Sequence, residues 1–473
     1  MSTRDIAEPQ GSIAKVRRDA SRPVEVNVWT ESRTMFSLLC AYLFSQVMAI
    51  PVLPLGTWAL WPKIADLIVV AMVGLWLIEL VRGRTNWVPL TSIVKAILIL
   101  LAFTSLSFII FTLLGEGLKI VDQADPAALA HGAYGLAKMV EFTVLIYLIS
   151  AIPLDRARLE LVGRVAAVAS VIMTISFAAT FFEVVSTGTI GFWLPQTEDS
   201  AGAWFAYVAG HNDGQGIGTV AYNRGFAAIQ LLVMSGIALQ LIGRQPLVWR
   251  WIVCISAAAG LVMTGSRSGM VSLFTFVLLT LWFECKRIRP ILALGMVAFV
   301  LLSTVAVVSE VPTTGVPLVD RYLSILEFSD GYGEDGRLMI WQDRIGEIMD
   351  AGPLVWILGS GFGAAGGTGS NAHNVYLQIF YDLGIVGLSV AGTLFYRLIR
   401  ALAKGRAPNI MAWLTVSLLV GAITQETFYP VVAFGDFLGF FLVAVVLTLA
   451  YNADLDCRWA GEPARHSGQV GAQ

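Results

Sequence analysis

Charge is scarce in this chain. Only 14% of its 473 residues are Asp, Glu, Lys or Arg and 56% are hydrophobic, so a water-soluble fold would lack the polar surface needed to stay in solution. Mean hydropathy is +0.73, and the bilayer is the solvent such a composition requires. An excess of positive charge is also missing. The net charge is −2, which removes nucleic acid from the classes of partner. Cysteine is rare: Cys40, Cys254, Cys285 and Cys457 show no CxxC spacing and fall in apolar runs or in segments assigned below to the cytoplasm. Neither a disulfide framework nor a zinc site is implied. There is no GxxxxGK[ST] loop, so nucleotide hydrolysis is not expected. On the face assigned below to the non-cytoplasmic side there is no DxD and no clustered His and carboxylate set with metal-ligand spacing, so neither a metal nor a cofactor is expected. Internal repeats and paired interrupted helices, which mark many secondary transporters, are absent as well.

What is present is a series of apolar runs of membrane-crossing character. They lie at 35–52, 61–81, 93–114, 134–152, 161–184, 225–242, 248–263, 269–283, 291–308, 375–395, 410–423 and 431–451. Lys and Arg flanking a span are retained in the cytoplasm, and the loops alternate accordingly. Arg82 and Arg84, Arg156 and Arg158, Arg244 and Arg250, Lys286 with Arg287 and Arg289, and Arg397 to Arg406 share one side with both tails. The expectation is an all-α polytopic membrane protein of about twelve transmembrane helices. Residues 1–33 form a cytoplasmic tail without an apolar core of its own. Residues 34–308 hold spans one to nine, 309–373 a long non-cytoplasmic loop, 374–451 the last three spans, and 452–473 a second cytoplasmic tail. Within the long loop, 337–350 reads as an amphipathic helix with Leu338, Trp341, Ile345 and Ile348 on one face and Asp335 near its start as a cap. Such a helix lies on the membrane surface or roofs a cavity.

The polar chemistry gathers on the non-cytoplasmic face. His373, at the mouth of a span, is the leading general base, because an imidazole exchanges protons near neutral pH. The alternative is a helix-capping or hydrogen-bonded histidine. Upstream, Gly359-Ser360-Gly361-Phe362-Gly363 lets backbone N–H groups approach an anion or a sugar, or simply makes a tight turn. Arg267, in a turn between two spans, and Arg224, at the mouth of another, run against the positive-inside trend. Two guanidinium forks on one face suit a diphosphate, where the bland reading is headgroup snorkelling. Lys63 with Asp66 and Lys138 with Glu141 read as self-paired helix ions. Gln425, Glu426 and Asp436 line the mouths of the last two spans, and His211 with Asp213 form a second, weaker acid and base pair.

This arrangement resembles the O-antigen ligase and Wzy-type polysaccharide polymerase superfamily of bacterial envelope glycosyltransferases. The resemblance runs from Thr264-Gly265-Ser266-Arg267-Ser268-Gly269 through Gly336-Arg337, Trp341 and residues 359–363 to His373-Asn374, with Gly384 and Gly387 following at the family's spacing. Leu388 stands where ligases often have Gly, Thr or Tyr, and Arg224 lacks the Phe-x-x-Pro-Asn surroundings of relatives. The resemblance implies a GT-C-like fold in the bacterial inner membrane with its active site in the periplasm. It implies metal-independent transfer of a glycan from an undecaprenyl diphosphate carrier to an acceptor hydroxyl, on a growing glycan, lipid A core or a protein. His373 would be the base, Arg267, Arg224 and Arg337 would hold the diphosphate, and Asn374, Gly361, Gly363 and Gln425 would contact substrate. Chain-length or export proteins would be partners. The rival class is a lipid-linked glycan flippase or other transporter, which favours charge along a central passage rather than at one face.

Overall fold

The computed structural model describes residues 32–48, 63–83, 90–114, 126–185, 218, 224–242, 246–284, 289, 337–364, 372–404, 409–425, 427–429 and 436–461. Among these residues every regular element is a helix. They are α1 (Ser32–Ser45), α2 (Ile64–Val81), α3 (Ser92–Leu114), α4 (Pro126–Ala151), α5 (Arg156–Phe181), α6 (Arg224–Leu241), α7 (Leu247–Thr264), α8 (Arg267–Glu284), α9 (Arg337–Ala351), α10 (Pro353–Leu358), α11 (Val375–Ala403), α12 (Ile410–Gly421) and α13 (Asp436–Gly461). Eight of them are long and apolar enough to cross a membrane, and α8 and α12 are shorter apolar helices. The chain is a polytopic membrane protein. The run at 291–308, the pair His211 and Asp213, Asp335 and Glu426 lie outside the described residues.

Helices this apolar bury one face against neighbours and turn the other to hydrocarbon. On α2, α3, α5 and α7 the outward positions Val70, Ile99, Ile175 and Ile255 are exposed while Val69, Ile97, Met173 and Val253 are buried. Polar outer faces are missing because lipid satisfies no hydrogen bond, so each helix closes its own backbone bonds. α6 is the exception. Nearly every residue is buried, and α5, α7, α8, α12 and α13 surround it. Between helices the glue is small and polar: Thr174 Oγ1 donates to the Ser256 carbonyl at 3.0 Å, and Gln230 Nε2 to the Gln46 carbonyl at 2.9 Å.

Helix ends are set by local chemistry. Asp155 Oδ1 accepts from Arg158 N at 2.8 Å to start α5, and Asp66 Oδ2 accepts from Lys63 N at 3.0 Å to start α2. Asp66 is therefore a capping group toward Lys63, and its other oxygen takes Lys138 Nζ of α4 at 2.6 Å. Lys138 also holds Glu141 at 3.0 Å, so the two self-paired ions expected from the sequence are one cluster joining two helices. The last helix continues to Gly461, past the apolar run that ends at 451.

α11 and α12 depart most from simple spans. α11 is two helices joined across a kink at Gly384, whose φ of 63° and ψ of −167° break the helical path. α12 has 12 residues, about 18 Å of helix, against roughly 30 Å of hydrocarbon. The chain leaves α8 at one end of the bundle and reappears in α9 at the other, where α9 and α10 pack on α11.

The break at Gly384 gives a sharp expectation. A Cβ there would overlap the Ile357 carbonyl and the Gly359 nitrogen, and the positive φ alone costs a non-glycine residue roughly 1–3 kcal/mol. Gly384→Ala should lower the melting temperature of the detergent-purified protein. Gly392→Ala on the same helix meets nothing within 4 Å and should leave it unchanged or raise it slightly.

Candidate active site

One end of the bundle collects the sequence-predicted residues, and backbone packing brings them there. Gly265, in the left-handed conformation at φ 60°, ends α7, and Ser266 Oγ accepts from Gly269 N at 3.0 Å to start α8. Arg267 is thus the first residue of a helix. Two residues on, Gly269 meets Ala228 of α6, one turn after Arg224, the first residue of that helix. Gly421 at the end of α12 abuts Ser268 and Ser272, and the next carbonyl, Ala422, accepts from Val375 N at 3.0 Å. Val375 opens α11, two residues past His373. From the other side, Trp341 Nε1 of α9 donates to the Ala372 carbonyl at 2.8 Å. Arg337, the first residue of α9, stands one turn before that contact. The three arginines therefore each begin a helix. A cation at the positive end of a helix dipole is disfavoured unless an anion joins it.

His373 is half-buried and has φ 48°. The left-handed conformation costs a non-glycine residue on the order of 1 kcal/mol, and such strain gathers at functional positions. Asn374 follows as the cap of α11, its Oδ1 accepting from Tyr376 N at 3.0 Å and Leu377 N at 3.1 Å. Its oxygen is thus committed to fixing the helix start beside His373. Gln378 Oε1 accepts from Ala372 N at 3.1 Å, which pins the chain from the other flank. Gln425 is buried just beyond α12.

The glycine-rich stretch is held more tightly than its sequence suggests. Gly359, Gly361 and Gly363 have φ of 78°, 111° and 94°. Ser360 N donates to the Tyr381 carbonyl at 2.8 Å, Gly361 N to the Asp382 carbonyl at 3.0 Å, Phe362 N to Ser107 Oγ at 3.1 Å, and Gly363 N to Asp382 Oδ2 at 3.2 Å. These amides are spoken for within the protein. A Cβ at Gly359 would overlap the backbone of Asp382 and Leu383, so the glycines are also needed for close approach.

Asp382 is the residue that sequence reasoning missed. It is fully buried, and its carboxylate also accepts from the Tyr429 hydroxyl. A signal was available: Asp382 is the one acidic residue in the whole of α11, and an acid inside an apolar span asks for partners. Burial, together with the neighbouring Asp382 carboxylate, pushes the Tyr429 phenol well above its ordinary value. Thr427, Phe428 and Tyr429, expected in an open loop, are buried, with Phe428 against Phe395, Phe437 and Phe441. Arg344 is the second omission. Only 4% exposed, it pairs with Glu347 at 2.7 Å and lies 5.0 Å over the Tyr381 ring. It turns the buried face of α9 to Trp341, Arg344 and Ile348, and Ile345, assigned to that face from the sequence, points outward.

The described helices define a membrane-embedded helical scaffold. Residues 252–392 match the O-antigen ligase family model, which bears out the resemblance over that segment of the chain. The matched segment contains Arg267, Arg337, Gly361, Gly363, His373 and Asn374, and Arg224 and Gln425 lie outside it. No curated protein matches the chain. Among solved structures, a chain from work on structural coordination of polymerization and crosslinking by a peptidoglycan synthase complex is 15% identical, with 76% of this chain and 97% of that one covered at a TM-score of 0.42.

Asp382→Ala leaves the Gly363 N–H and the Tyr429 hydroxyl without their acceptor and should cost on the order of 3 kcal/mol, read as a lowered melting temperature. Asp382→Asn keeps an acceptor oxygen and should lose less. Because the Tyr429 phenol titrates above its unfolded value of 10.0, the stability it contributes is intact below that pH and is lost as pH rises beyond it. Tyr429→Phe should flatten that alkaline decline in a melting-temperature profile.

Proposed function

We propose that the protein is a glycosyltransferase of the bacterial inner membrane, with about twelve spans and both termini cytoplasmic. It moves a glycan from an undecaprenyl diphosphate carrier to an acceptor hydroxyl on the periplasmic face. The observation that supports this reading is a strained His373 whose neighbours Ala372 and Val375 are hydrogen-bonded to α9 and to the end of α12, while α6, α8 and α9 each begin with arginine. Diphosphate is already a good leaving group, so the chemistry needs positive charge to receive it and one base for the acceptor.

Arg267, Arg224 and Arg337, helped by the helix N-termini they occupy, bind the diphosphate and stabilise the charge that develops as the glycosidic bond breaks. His373 removes the proton from the attacking hydroxyl. Attack on the face opposite the diphosphate inverts the anomeric centre. Asn374, Gly361 and Gly363 serve first by geometry: Asn374 fixes the helix start that aims His373, and the two glycines seat the wall beside it. Gln425 stands at the end of α12 on the same side. The acceptor is a growing glycan, lipid A core or a protein hydroxyl, and chain-length or export proteins accompany whichever is used. The neighbouring genes distinguish a polymerase from a ligase.

Turnover of a lipid-linked glycan by the purified protein is the test. His373→Ala should abolish transfer while membrane insertion is unchanged, and normal product from that variant would remove His373 as the base. His373→Gly should also be inactive, yet no less thermostable than the parent, because glycine occupies the left-handed conformation without strain. Arg267→Lys should lose nearly as much as Arg267→Ala, since an ammonium cannot reproduce the bidentate fork; full activity with Lys would reduce Arg267 to a point charge.

A further inference from the structure

The hairpin of α9 and α10 carries a surface that the transfer chemistry does not explain. α10 is apolar at all six positions, Pro353-Leu354-Val355-Trp356-Ile357-Leu358. Val355 turns inward and is 2% exposed, whereas Leu354, Trp356, Ile357 and Leu358 are 55%, 39%, 48% and 37% exposed. The Trp356 indole N–H is satisfied by the Ile348 carbonyl at 2.7 Å and needs no water. α9 presents three faces. Trp341, Arg344 and Ile348 pack inward, Gln342, Asp343 and Asp350 are exposed and polar, and Ile345 and Met349 are exposed and apolar beside α10.

The level at which this hairpin sits follows from α3. Phe362 N bonds Ser107 Oγ, and Ser107 lies seven residues, about 10 Å, inside the outer end of that apolar helix. The neighbouring turn of α3 faces outward with Leu106 and Ile109 exposed, the surface a membrane-crossing helix turns to lipid. Between α3 and the hairpin runs a largely apolar cleft whose walls include Phe103, Leu106, Ile110 and Leu358. It is continuous with that lipid-facing side.

Irregular backbone at such a depth is tolerated only where protein satisfies it. Here Gly359 N donates to the Val355 carbonyl at 2.7 Å and Ala364 N to the Gly361 carbonyl at 3.0 Å, and the four amides between them are paired as described above. The buried Asp382 carboxylate supplies one of those acceptors from inside α11. Exposed apolar surface together with fully paired loop amides is the combination that hydrocarbon demands, and water demands neither.

We propose that α10 and residues 359–364 form a re-entrant wedge. It dips into one leaflet beside α3, with Leu354, Trp356, Ile357 and Leu358 in contact with lipid hydrocarbon and α9 lying in the headgroup layer above. Residues 353–364, expected from the sequence within a loop outside the membrane, thus lie inside it. This proposal does not depend on the transferase reading, since depth is measured without substrate.

The test is nitroxide labelling of the full chain in lipid nanodiscs, with the four native cysteines replaced by serine. Leu354→Cys and Ile357→Cys carry the label, with Leu106→Cys as the hydrocarbon reference and Asp343→Cys as the aqueous one. Power saturation compares accessibility to oxygen with accessibility to a water-soluble nickel chelate. Labels at 354 and 357 should match 106, with nickel accessibility several-fold below that at 343. Nickel accessibility at either position equal to that at 343 would place α10 in water and overturn the proposal.

Discussion

A single buried carboxylate organises the polar end of this protein. Asp382 receives the Gly363 amide and the Tyr429 hydroxyl, and its own carbonyl takes the Gly361 amide. Three segments distant in sequence, the glycine-rich stretch, the connection after α12 and the first half of α11, therefore meet on one side chain. In a medium that offers no water to unpaired groups, removing that acceptor strands donors on two of them at once. The helices would still cross the bilayer without it. The arrangement of those segments at their end would not survive.

The same constraint explains why glycine recurs here. Gly359 and Gly384 allow the two backbones to touch, and each has a positive φ. Their neighbours then place the start of α11, where Asn374 caps the helix and leaves His373 in a conformation that a histidine adopts only under compulsion. Packing, capping and strain thus converge on the imidazole. The arginines arrive by a different route, through helix starts fixed by close contacts at Gly269 and Gly421.

Much of this was legible in the residues. Apolar runs located the long apolar helices, because hydrocarbon thickness is a coarse, additive constraint, although α4, α11 and α13 extend eight to ten residues beyond their runs. Arg267 and Arg224 stood out since they broke the positive-inside pattern, and His373 since an imidazole at the mouth of a span suits proton exchange. Hydrophobic periodicity was less reliable for α9, where Ile345 was assigned to the apolar face and Arg344 was not considered; a cation neutralised by Glu347 and stacked on Tyr381 can occupy a core position that a hydropathy pattern reserves for leucine. Asp382 was passed over for a related reason. Its partners lie 19 and 47 residues away, and no local spacing encodes them.

The brevity of α12 has a consequence for encounter. Its last turn ends where Ala422 meets Val375, so the histidine segment is tied to a helix of only 12 residues. On the proposed function, a reactant anchored in the same membrane would find its target by drifting sideways within a thin sheet, already confined to the right height and held in roughly the right attitude. The search loses a dimension, and lipid thickness and fluidity become variables of the rate.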